Sequence, residues 1–460
     1  MQPKHLFFGG GAAETFLNPL VAVWMLIAIA LILTLPRNKV ILPFFLAFFT
    51  IPWAQVILIG PLHFPVLRIL ILAGMVRRTI TGSRDPGGRY PGGFNGLDRV
   101  TILWTISAFV VVSLQWMELQ STIKFVGDLM DSLFGYLVVR YLIPDRDTVR
   151  RTVMSLGLVS LIVGACMMSE QFTHHNVFAA FGANEPAIRD GHLRAEGSLG
   201  TLFGGTFAGV LIPMFLWLWK EKDGRRAAAI GLIGATAMVA ASHASTSWLA
   251  YASGLLGLAF WPLRKKMRLI RWGIVVTLTG LHLVMHGPVW SLIEKVDVTG
   301  GSSSYHRYML VDNCIRHFSD WWFLGYKFYG SWGFDMWDLC NQFVAVALTG
   351  GLITLVLFIM IYSRSLGLIG RTRKRVEGNR SEEWLLWCLG STLFANIVAS
   401  FGINYMIQLQ MLLFPLLACV SVVAATAKVP VVAKAKPAGE VLAPPLPIPA
   451  RAFAAVRGMQ

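Results

Sequence analysis

Three groups of residues in this chain have types and spacings that could do chemistry. Arg194 stands just before a glycine-rich apolar run, while Arg307 and Arg316 share one short stretch with His306, Asp312 and His317. A guanidinium is a rigid fork of donors that matches two phosphate oxygens at once. Arg194 is therefore a candidate for holding a phosphate, and Arg307 is kept as a second candidate functional cation. The competing role for Arg194 is an interfacial anchor touching lipid headgroups, and for Arg307 a solvated helix face. Asp312 and Arg316 are four apart, which on a helix makes them an ion pair. The third group is Asp338, Asn341 and Gln342, where a polar stretch returns to an apolar run. A carboxylate at such a boundary loses water, which raises its pKa and suits it to general-base work; the alternative for Asp338 is an N-cap of the following helix. Trp321, Trp322 and Trp337 enrich the same long stretch in flat apolar faces.

Other polar residues carry less. His174 and His175 are adjacent and do not face one ligand, and His282 and His286 lack the glutamate of a zinc-protease helix. The five cysteines show no Cys-x-x-Cys or Cys/His ligand spacing, so no structural metal site is implied. Cys314 and Cys340 share one loop, and a disulfide between them is an expectation if that loop meets an oxidising compartment. Lys124, Asp128 and Asp131 fall on one face of an apolar segment, where Lys124 and Asp128 are expected to neutralise each other.

The elements that must position these residues follow from composition. The chain has 460 residues, 55% hydrophobic and only 14% charged, with mean hydropathy +0.61. A soluble domain carries about 25% charged residues, so soluble, fibrous and disordered classes are excluded. An outer-membrane barrel is excluded as well, because its strands alternate rather than run apolar. The sequence predicts an all-α polytopic bundle of about 13 membrane spans. They are Pro19–Leu35, Ile41–Ile59, Leu62–Val76, Val100–Trp116, Ser121–Ile143, Thr152–Glu170, Gly200–Trp219, Ala227–Ala241, Ser245–Trp261, Trp272–His286, Phe343–Tyr362, Trp384–Phe401 and Met406–Ala425. Leu62–Val76 is short and contains Arg68. Met1–Leu35 reads as a retained first helix rather than a cleaved leader.

Orientation follows from Lys and Arg. With the N-terminus outside, only Lys4, Arg68, Lys124, Arg189, Arg194, Lys295, Arg307, Arg316 and Lys327 avoid the inner loops and tail, leaving 31 of the 40 cations inside. The net charge of +16 is thus topological, and nucleic acid is not needed to explain it. Residues 1–427 form the bundle, with two long outer loops at 171–199 and 287–342, and 428–460 is a disordered, cytoplasmic Pro/Ala/Lys tail. Long loops in compact proteins tend to be functional, so a site should face outward.

In this setting the chain resembles the O-antigen ligase and polymerase superfamily, polytopic bacterial enzymes that join lipid-linked glycans. Three features carry the resemblance, over roughly residues 154–417. They are Arg194 with Gly197, Gly200, Gly204 and Gly205; Arg307 leading to Ser319, Asp320, Trp321, Trp322, Phe323, Leu324 and Gly325; and Asp338, Asn341, Gln342 and Phe343 ahead of Gly350 and Gly351. The sequence departs from the family where a His usually stands beside Asn, here Asp338. It also lacks the Arg of an outer Ser-Arg-Gly, replaced around Ser245, Thr246, Ser247 and Trp248, and the Pro usual before the glycine turn near Trp322. These departures favour a divergent branch such as an exopolysaccharide polymerase.

The resemblance implies an inner-membrane glycosyltransferase acting on the periplasmic face without metal or cofactor. Its donor would be a polyprenyl-diphosphate-linked glycan and its acceptor a glycan or lipid, with a chain-length regulator as a further partner. Arg194 and Arg307 would stabilise the leaving diphosphate and Asp338 would take the acceptor's proton. Asn341, Gln342, Arg316, Trp321, Trp322, Trp337 and His306 would line the substrate site. A transporter or flippase of lipid-linked glycan, with charges at mid-membrane, and a non-enzymatic envelope scaffold are the alternatives.

Overall fold

The computed structural model describes residues 15–60, 62–81, 90, 93–189, 191–295, 303–405 and 407–427. The proposed tail at 428–460 lies outside the described residues. The protein is all-α, 76% helical with almost no strand. Among the described residues, six helices are long and apolar enough to cross a membrane, as expected of a multi-pass membrane protein. They are Gly96–Trp116, Arg146–Thr173, Thr201–Lys220, Trp261–Val284, Gln342–Arg375 and Gln408–Ala425.

Several expected spans turn out shorter. Ile41–Ile59 is a ten-residue helix, Ile41–Thr50, followed by a hairpin of Val56–Ile59 and Leu62–Pro65. The second strand takes the first four residues of the expected Leu62–Val76 span, whose helix is Val66–Thr81. β-Branched Val56, Ile57 and Ile59 and aromatic Phe64 favour the extended chain there.

Arg68 is held by Asp131, two hydrogen bonds of 2.8 and 2.7 Å, with Asp128 4.0 Å away. The expected Lys124–Asp128 pair is thus not the contact that neutralises this face. Arg68 reaches it from another helix, and Gly127 makes room: a Cβ there would lie 2.6 Å from the guanidinium. Sequence spacing sees i,i+4 partners only, not partners across the bundle.

Glycines set the close helix pairs, since small residues let helix backbones approach. A Cβ on Gly164 would meet the Gly234 carbonyl oxygen at 2.5 Å, and one on Gly209 the Ser247 carbonyl oxygen at 2.8 Å. The bundle has two distinct ends. At the basic end, Arg264 pairs with Glu383 at 2.8 Å, Lys265 with Glu377 at 2.6 Å, and Arg146 with Glu382. Arg150 and Arg151 reach the Lys222 and Asn38 carbonyls there. The two long loops fold at the other end. Part of the second has its own apolar core, in which Leu310, Cys314, Trp321, Met336 and Leu339 pack on Val344, Ala345 and Leu348.

That loop also enters the Gln342–Arg375 helix, which is broken at Gly351 (φ 67°, ψ −175°). The break frees the Leu348 carbonyl, which accepts Tyr326 N at 2.7 Å, and leaves Leu352 N to donate to Trp322 O at 2.8 Å. Irregular backbone is stable in such a helix only where protein groups complete its hydrogen bonds. Here residues 322–326 complete them.

Candidate active site

Arg194 closes a short hairpin, Ala187–Arg189 with His192–Arg194. The turn after it is fixed from several sides. Both carboxylate oxygens of Glu170 accept backbone N–H groups, from Glu196 at 2.7 Å and Gly197 at 2.9 Å. Asn176 Nδ2 donates to the Gly197 carbonyl at 2.8 Å, and the Glu196 carboxylate accepts Thr201 Oγ1 at 2.6 Å, tying the turn to the next helix. Ala195 N donates to Ala241 O at 3.1 Å, so the hairpin sits on the end of the Arg225–Ser242 helix. His192 stacks on His243 there, ring centroids 5.1 Å apart. Burial, His192 and the Arg194 charge hold the His243 imidazole below its ordinary pKa.

Arg307 lies on the Ser303–Arg316 helix. Its Nη2 donates to Thr246 Oγ1 at 3.2 Å, and the buried Thr246 hydroxyl donates to Gly402 O at 3.2 Å. Thr246 begins the Ser245–Ala259 helix, directly after His243. The turn 243–246 is therefore met at His243 by His192, from the hairpin that Arg194 closes, and at Thr246 by Arg307.

The third group joins from the loop before Gln342. His306 Nε2 meets Asp338 O at 2.9 Å, and Gln342 binds the 400–405 segment through its N to Ser400 O (2.8 Å) and Tyr405 N to its Oε1 (2.6 Å). Two expectations for Asp338 are corrected. Its residue is exposed rather than desolvated, because the loop carries it outward while Leu339 turns into the loop core. Nor does it cap the helix: Asn341 does, accepting Phe343 N at 3.0 Å and Val344 N at 3.2 Å. Asn341 is 1% exposed, and its Nδ2 has no hydrogen-bond partner among the described residues, leaving one buried donor unspent.

The tryptophans divide. Trp321 is buried, its Nε1 donating to Cys314 O at 2.6 Å. It is a core residue, not a sugar platform, because the helical turn after Arg316 points it inward. Trp322 is half exposed and Trp337 is 73% exposed, so both keep faces open to a ligand. Arg316 pairs with Asp312 at 2.6 Å, as the spacing predicts, and Asp312 also accepts Trp290 Nε1 at 3.0 Å. That pairing gives Arg316 a partner on its own helix while its side chain stays largely exposed.

Cys314 and Cys340 are free thiols, so the expected disulfide is absent. Burial pushes the Cys314 thiol up to about 12, and burial with the Asp338 charge pushes Cys340 up to about 11. Cys340, His306 and Asp338 could together hold a metal ion, a ligand set drawn from two distant stretches of one loop and invisible to spacing. Glu170 was missed too, although an acid in an apolar span is a signal of function or of a buried structural role. No protein-family model matches the chain, and no curated protein matches it either.

Proposed function

We propose that this chain is a bacterial inner-membrane enzyme of about 13 spans that performs inverting glycosyl transfer on its periplasmic face, like the O-antigen ligases and polymerases it resembles. The observation that carries the reading is the turn 243–246, with Arg194 near one end of it and Arg307 bonded at the other. A polyprenyl-diphosphate donor develops negative charge on its leaving group, and preorganised cations aimed at that charge lower the barrier. Asp338, exposed beside Trp337, accepts the proton of the attacking hydroxyl. The Asn341 Nδ2 offers a further donor to substrate oxygen.

The test is polymer formation in a deletion strain carrying single variants. Arg194→Ala and Arg307→Ala abolish polymer while the protein accumulates, and Lys rescues poorly because a point charge lacks the fork. Asp338→Asn loses about 10²-fold or more, with no capping defect because Asn341 is the cap. Normal polymer from both Asp338→Asn and Arg307→Ala would overturn the assignment. A transporter of lipid-linked glycan is the second reading, favoured by the broken helix at Gly351 and the Arg68–Asp131 pair. It predicts that purified protein moves lipid-linked glycan between leaflets without forming glycosidic bonds.

A further inference from the structure

His306, Asp338 and Cys340 come from two elements that the fold fastens together. A ring nitrogen of His306, a carboxylate oxygen of Asp338 and the Cys340 Sγ lie within 4.8 Å of one another. The Asp338 carbonyl organises the group. It accepts Cys340 N at 3.0 Å, a tight turn that doubles the chain back over Leu339, and it meets His306 Nε2 at 2.9 Å. That contact holds the imidazole against the turn that carries Asp338 and Cys340. The frame around the turn is rigid, with Leu339 buried in the loop core and Asn341 capping the helix that follows.

We propose that His306, Asp338 and Cys340 bind a divalent cation of the zinc class at the loop end of the bundle. Mixed nitrogen, sulfur and carboxylate ligands suit Zn²⁺, whereas Mg²⁺ and Ca²⁺ take oxygen ligands. Three protein ligands leave a fourth position for water or a substrate oxygen. Zinc bonds of about 2.0–2.3 Å put tetrahedral ligand atoms roughly 3.3–3.8 Å apart, so the group closes with about 1 Å of side-chain movement. The exposed Asp338 has room to make it. The other charges near Cys340 are Arg307 and Asp335, and they oppose one another. The site does not depend on the glycosyl-transfer reading. A bound cation would occupy the Asp338 carboxylate, so metal loading and use of that carboxylate as a base exclude each other.

Full-length protein in detergent is titrated with Co²⁺, following thiolate-to-cobalt charge-transfer absorption. A second sample is equilibrated with Zn²⁺, desalted and assayed for zinc per chain by mass spectrometry. The expected results are one metal per chain and a charge-transfer band that Cys340→Ser removes. His306→Ala and Asp338→Asn weaken binding by at least about tenfold, and Cys314→Ser leaves the band intact. Asp338→Asn changes only an exposed side chain, so it keeps the test open should Cys340→Ser misfold. Wild-type protein with no cobalt band and no retained zinc would overturn the site, as would zinc binding that survives all three ligand substitutions. Wild-type cobalt binding found beside normal polymer from both Asp338→Asn and Arg307→Ala would leave the metal site standing and remove the transferase reading alone.

Discussion

His243 titrates under the influence of its neighbours, and the sign of the effect is fixed. Burial, His192 and Arg194 lower its folded pKa, so below about pH 6.5 the unfolded chain binds a proton that the folded chain resists. Stability from this group is present above that pH and is lost as pH falls towards the folded pKa. Thermal stability in detergent should drop between pH 7 and pH 5, and His243→Asn should flatten that part of the profile. An unchanged slope would mean that burial and the neighbouring charges do not lower the His243 pKa. The sequence made Arg194 and Arg307 readable because a lone cation beside an apolar run stands out. It could not distinguish Asp338 from Asn341 as the cap, three positions apart, because capping depends on where the loop's backbone turns. Nor could it separate Trp321 from Trp322, neighbours in sequence that differ in which way one helical turn points them.

The Gln342–Arg375 helix shows how far element boundaries were legible. Its apolar run and the Gly350–Gly351 pair are plain in the sequence, but the break needs residues 322–326 to complete it. Gly351 sits at φ 67°, and a Cβ there would lie 2.6 Å from the Phe323 carbonyl oxygen. Gly351→Ala should therefore cost about 1–3 kcal/mol from backbone strain alone, read as an earlier thermal transition. Gly370→Ala, in the same helix with nothing within 4 Å of its Cβ, should be neutral or stabilise by up to about 1 kcal/mol. Equal effects at the two glycines would show that the loop does not seat in the break. The Val56–Pro65 hairpin was not legible, since a short apolar run fits strand and helix equally.

For the whole molecule, the basic loops that the sequence assigned to one side do gather at one end, stapled by Arg264–Glu383 and Lys265–Glu377. Reporter fusions at Asp223 and Gly378 should read cytoplasmic, and a fusion at Asn184 periplasmic. Swapped signals would place both long loops in the cytoplasm, where no flipped lipid-linked donor is present. The number of spans was less legible than the class, because helices such as Ile41–Thr50 are too short to cross alone. The join between residues 322–326 and Leu348–Leu352 has a consequence for biosynthesis. The chain emerges from the ribosome N-terminus first, so these loop residues are made before the helix they complete. The loop must wait with unpaired backbone groups until Gly351 arrives, and the helix closes its hydrogen bonds only on a loop already delivered to the same side.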